Sequence, residues 1–77
     1  MSVKVKLLAS LSERFGVRET EIQANVPMTV EQVWGRVTGG APMLLNTLTA
    51  INLEYCERDA RVNDGDEVAF FPPVTGG

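Results

Sequence analysis

Residues 2–8 alternate in character. Val3, Val5 and Leu7 fall on one face, and Lys4, Lys6 and Leu8 on the other, which predicts a half-buried strand. Leu8 is the exception, an apolar residue on the lysine face. Ser10-Leu11-Ser12-Glu13 comes next, with Ser10 as N-cap and Glu13 as capping-box partner of a short helix. Phe15 anchors this helix and Gly16 suits its C-terminal end. Residues 18–26 read as a second strand, with Ile22, Ala24 and Val26 in phase. Pro27 and Thr29 introduce the main helix, Thr29 being the N-cap and Gln32 its partner. Val30, Val33, Trp34 and Val37 then form one apolar stripe at helical spacing. Gly35 inside this helix costs roughly 1 kcal/mol relative to Ala, which a close approach to the sheet would explain. Gly39-Gly40 ends the helix. Pro42 opens a further short helix through Leu44, Leu45 and Leu48.

The remainder is strand-like. Ala50 to Cys56 is one candidate strand, and Arg58 to Val62 a shorter one. Asn63-Asp64-Gly65-Asp66 signals a turn with a positive φ at Gly65. Val68 to Phe71 forms the last strand, stopped by Pro72-Pro73, since proline has no ladder donor. These elements make an α+β domain at 1–71, one long helix covering one face of a mixed sheet. A tail at 72–77 completes the chain, stiff at its root. The element order resembles the ubiquitin-like β-grasp, a mixed sheet of about five strands covered by a main helix and short helices. That resemblance implies first and last strands that lie parallel, side by side, at the centre.

With 77 residues the chain is one small domain of marginal stability. Its hydrophobic content of 44% and charge of 22% are ordinary for a globular protein. No apolar run approaches a membrane span, no signal peptide is expected, and a single cysteine suits a reducing cytoplasm. The absence of histidine excludes Ser-His-Asp triads, Cys-His dyads and histidine metal sites within the chain. The net charge is −3 and the 7 basic residues are scattered, so no nucleic-acid stripe exists. Chemistry is left to carboxylates, a partner's residues or the chain ends.

Four features are candidates. Gly76-Gly77 closes the chain, a pair that chance would place there roughly once in 200 chains. One reading is a frayed terminus. The other is a terminal carboxylate on a thread without side chains, able to enter a narrow tunnel. The second feature is Phe70-Phe71, which point to opposite faces. Val68 and Phe70 belong to the core, and Phe71 faces outward as Leu8 does. If their strands are neighbours, Leu8 and Phe71 form an apolar patch beside the tail, extended by Tyr55. Scattered exposed apolar residues are the alternative. The third is the acidic run Asp64-Gly65-Asp66-Glu67, a solvated turn, or a steering element toward a basic partner. The fourth, Cys56, reads as a small strand hydrophobe.

The segment Asp64-Gly65-Asp66-Glu67-Val68-Ala69-Phe70-Phe71-Pro72-Pro73-Val74-Thr75-Gly76-Gly77 closely resembles the C-terminus of the ubiquitin-like sulfur carriers typified by the small subunit of molybdopterin synthase. The likeness is tight there and collinear over most of the chain. It implies a protein that is not catalytic alone and holds no cofactor tightly. An E1-like adenylating enzyme would use ATP to activate the Gly77 carboxylate. A persulfide-derived sulfur would displace AMP, leaving a thiocarboxylate. Pro73, Val74, Thr75 and Gly76 would thread into the large synthase subunit, where the sulfur passes to a cyclic pyranopterin precursor to build the dithiolene of molybdopterin. Leu8, Phe71 and Tyr55 would dock the partners, and a heterotetramer with a large-subunit dimer is implied. Other sulfur-carrier pathways (thiamine thiazole, cysteine or tRNA thiolation) share this tail chemistry, and a ubiquitin-like protein modifier is a further reading.

Overall fold

The computed structural model describes residues 1–25 and 27–73. The elements run β1 (Ser2–Leu7), α1 (Ser10–Phe15), β2 (Glu19–Gln23), β3 (Met28–Thr29), α2 (Val30–Thr38), β4 (Leu48–Ile51), β5 (Glu54–Cys56), β6 (Arg61–Val62) and β7 (Glu67–Phe71). Five strands form one mixed sheet in the order β2-β1-β7-β4-β5, and β3 pairs with β6 beside it. β1 and β7 are parallel, with Leu7 opposite Phe70. β7 is therefore the central strand, antiparallel to β4 on its other side. This is the α+β β-grasp that the element order implied.

The alternation in β1 sorts as expected: Val3, Val5 and Leu7 are buried. They meet Val68 and Phe70 of β7 under the stripe of α2, where Val30, Val33 and Trp34 are buried. Trp34 sits at the middle of an aromatic trio, its ring 5.1 Å from Phe70 and 5.4 Å from Phe15, both edge-on. Phe15 thus anchors α1 as the spacing indicated. The capping box of α2 is present, with Thr29 Oγ1 accepting from Gln32 N and Gln32 Oε1 from Thr29 N. The next orphan donors of α2 go to another segment: Val30 N to Ala60 O, and Glu31 N to Arg58 O.

Several local expectations are corrected. Ser10 is not an N-cap. Ala9 holds that position with φ 51° and ψ −128° and no side-chain cap. Leu11 N donates to Leu8 O at 3.1 Å, so Leu8–Leu11 is a tight turn with Ala9 where glycine is usual. β2 ends at Gln23 rather than running to Val26, which lies outside the described residues. Among the described residues Gly35 makes no close approach, since a Cβ built there meets none of their atoms within 4 Å.

No helix begins at Pro42. Residues 41–47 form a loop whose carbonyls are taken by side chains: Trp34 Nε1 donates to Ala41 O at 2.8 Å, and Arg58 Nη2 to Leu44 O at 3.0 Å. Leu48 is drawn instead into β4. The single strand expected from Ala50 to Cys56 is a hairpin, with β4 and β5 joined by Asn52-Leu53 at φ 50° and 71°. The short β3 was not foreseen.

The acidic run is a structural turn. Asp64 Oδ1 accepts from Ser2 N at 2.7 Å, and Asp66 Oδ2 from Asn63 N at 2.8 Å. Gly65 takes φ 86°, as the turn signal required. Cys56 is half-buried against the core, its Sγ 3.7 Å from Thr49 Oγ1.

Candidate functional site

The end of the sheet from which the chain leaves β7 gathers the candidate residues. β7 alternates, so Phe70 enters the core while Phe71 turns to the opposite face. Leu8 succeeds β1 in the same phase. Its N–H donates to Phe70 O at 3.1 Å, carrying the parallel ladder one step further and setting Leu8 at the register position beside Phe71. On the other side Leu48 is the Cα partner of Phe71. Tyr55 of β5 brings its ring to 6.0 Å from the Phe71 ring at 60°. By register Leu8, Phe71 and Tyr55 therefore lie in one strip on the outward face of the sheet.

Leu8 and Phe71 are half-buried, whereas Tyr55 is 74% exposed. Ala50 and Ala69, paired across β4 and β7, lie buried beneath the larger side chains. The strip therefore has a packed floor. Charges border it on the β1 side, where Lys6 Nζ lies 3.7 Å from Glu67 Oε2. Such a partly exposed pair contributes about 0–1 kcal/mol to stability and keeps that rim polar.

Leu48 was missed as part of this strip. Its spacing from Leu44 and Leu45 suits a helix, and strand pairing with Phe71 is a relation between distant segments. Only the register of β4 on β7 reveals it.

Pro73 is half-buried and, with Pro72, lines a groove of about 240 Å³ shared with Trp34, Pro42 and Leu44. Val74, Thr75, Gly76 and Gly77, the remaining candidates for the tail, lie outside the described residues. The last described residue therefore emerges from the central strand, at the end of the sheet that carries the apolar strip.

The arrangement offers an apolar surface beside the point where the chain leaves β7. Among the described residues no three side chains are grouped to hold a metal ion, and no helix is long and apolar enough to cross a membrane.

Comparison with known proteins agrees with this geometry. The molybdopterin synthase sulfur carrier subunit of Escherichia coli (strain K12) is 37% identical over 81 residues, covering 97% of this chain and 99% of the relative. A crystal structure of SAMP1, small archaeal modifier protein 1, from Haloferax volcanii superposes with a TM-score of 0.84 at 26% identity, covering 100% of both chains. The putative molybdopterin converting factor, subunit 1, from Pyrococcus furiosus does so with a TM-score of 0.77 at 28% identity, covering 96% of this chain and 99% of that one. The family model described as the ThiS family matches residues 5–77, and with its sheet order and full-length relatives in agreement, the chain belongs to the ThiS family.

Proposed function

We propose that this chain is the sulfur-carrier subunit of a molybdopterin synthase and that Gly77 bears the sulfur. The observation that carries the reading is the full-length match to a sulfur carrier subunit of that synthase. The sheet supports it mechanically. β7 lies between two neighbours, so a terminus leaving it starts from the most fixed strand of the domain. Pro72 and Pro73 hold φ near −65°, which lowers the entropy lost when a partner grips the last residues of the chain.

The chemistry runs through the terminus. An E1-like enzyme transfers AMP from ATP to the Gly77 carboxylate, replacing a poor leaving group by a good one. A persulfide's outer sulfur then displaces AMP to give an acyl disulfide, and a second thiol of the sulfur-donating enzyme reduces that bond, leaving a disulfide on the enzyme and a thiocarboxylate on Gly77 that is anionic and nucleophilic at neutral pH. Residues 73–77 enter the large subunit, where that sulfur is donated to the pterin precursor. Glycine serves twice here: it has no Cβ to meet a tunnel wall, and no stereocentre to racemise on activation. The chain itself holds no cofactor. ATP belongs to the activating enzyme, and the reaction takes place in the cytoplasm. The large-subunit dimer carries one carrier at each end, a heterotetramer. The activating enzyme and the large subunit need the same tail, so their binding is mutually exclusive.

The test is intact-mass spectrometry after incubation with the host's adenylating enzyme, ATP and a sulfide source. A gain equal to one oxygen replaced by sulfur, mapped to Gly77, is expected. Gly77→Ala is expected to keep the fold and lose nearly all sulfur transfer, and normal turnover by that variant would remove the carrier role. The likeness to an archaeal modifier protein favours a second reading, conjugation to lysines of other proteins. An isopeptide at Gly77 without any thiocarboxylate would select it.

A further inference from the structure

The loop at 41–47 presents two leucines to solvent, Leu44 at 55% and Leu45 at 92% exposure. Neither is needed there by the core. The loop is nevertheless held in one shape. Ala41 N donates to Thr38 Oγ1 at 3.2 Å and Ala41 O accepts from Trp34 Nε1 at 2.8 Å. Leu44 O accepts from both Arg58 Nη2 and Thr47 N at 3.0 Å. Arg58 in turn lies 3.4 Å from Glu31 Oε2, which ties the loop to the first turn of α2. A pinned apolar tip loses little entropy when something covers it.

We infer that Leu44 and Leu45 form a second docking element for the large synthase subunit, beside the point where that subunit takes the tail. The inference rests on the carrier reading above and adds a contact to it. Four observations support this occupant. Leu44 lines the same groove as Pro72 and Pro73. Residues 74–77 can span at most about 14 Å, so a catalytic centre reaching Gly77 must bring its surface down onto this end of the domain, over the loop. The strip of Phe71 and Leu48 reaches the same end, Leu48 coming directly after the loop in β4. Finally, no charged residue occurs from Val37 to Leu53. The loop thus continues the uncharged character of that strip, so one apolar face of the large subunit covers both.

The full chain, Leu45→Ala and Leu45→Asp are titrated against the large subunit of molybdopterin synthase from the same organism. Each is also thiocarboxylated by the activating enzyme. Leu45 is almost wholly exposed, so thermal midpoints should coincide with wild type. The expected result is a Kd raised at least tenfold by Leu45→Asp and less by Leu45→Ala, with thiocarboxylation rates within twofold. A Kd within twofold of wild type for Leu45→Asp overturns the inference while leaving the carrier role standing. An equal loss in binding and in thiocarboxylation overturns the assignment to the large subunit. A wild-type chain that neither binds that subunit nor gains sulfur overturns both readings together.

Discussion

At the scale of single residues, Gly35 and Trp34 sit side by side in α2 and contrast sharply. Trp34 is committed on every side: its ring meets Phe15 and Phe70, and its Nε1–H reaches Ala41 O. Gly35 packs against none of the described residues, because a Cβ there would meet none of their atoms within 4 Å. The entropy that glycine loses on entering a helix is therefore not compensated by close packing. Gly35→Ala should raise stability by about 1 kcal/mol, measurable as a higher urea midpoint at unchanged slope. A lower midpoint would mean that the site needs glycine for a reason outside the local backbone. The periodicity marked Trp34 as core from the sequence alone, but the emptiness around Gly35 was not legible, since free volume is set by neighbours far along the chain.

At the scale of elements, the β4–β5 hairpin and the 41–47 loop behave differently from their propensities. Asn52 and Leu53 both take positive φ in a two-residue loop, the turn for which Asn-Gly is favoured. Asn52 is bound into place. Its N–H donates to Glu67 O at 2.8 Å, and its amide bridges Glu67 N and Asp66 Oδ1. Leu53 gains nothing comparable and is 88% exposed. Leu53→Gly should therefore stabilise the fold by roughly 0.5–1 kcal/mol, since a bulky residue at positive φ is strained. Thermal or urea denaturation checks it, and a loss of stability would place Leu53 in a contact that the isolated domain does not make. Reading Ala50 to Cys56 as one strand failed because Asn-Leu carries no glycine to announce a turn. Reading Pro42 to Leu48 as helix failed because Arg58 and Trp34 claim the carbonyls a helix would have used.

At the scale of the whole molecule, three segments converge at one end of the sheet. β1 delivers Leu8, β4 delivers Leu48 with its preceding loop, and β7 delivers Phe71 and the tail. Phe71 stands between the other two and meets Tyr55, which makes it the centre of the strip. Phe71→Ala is expected to weaken binding to the large subunit by roughly 2 kcal/mol, about thirtyfold in Kd, as a central aromatic anchor does. Calorimetric titration measures it, and an unchanged Kd would remove Phe71 from the interface. The fold itself should survive, because Phe70, not Phe71, fills the core.

The division between sequence and tertiary structure comes from the range of the forces. Alternation in β1 and β7, the capping box of Thr29 and Gln32, and the stops at Gly39, Gly65 and Pro72 act over a few residues. The sequence by itself therefore determined those elements, their buried faces, and the Gly76-Gly77 ending. Pairing of β1 with β7 and of β4 with β7 is a choice among distant segments, made by burying Val5, Val68 and Phe70 under α2. Only the tertiary structure decided that Leu8, Leu48, Phe71 and Tyr55 share one strip, and that the loop at 41–47 stands beside the root of the tail, because those neighbours are joined by packing and not by the chain.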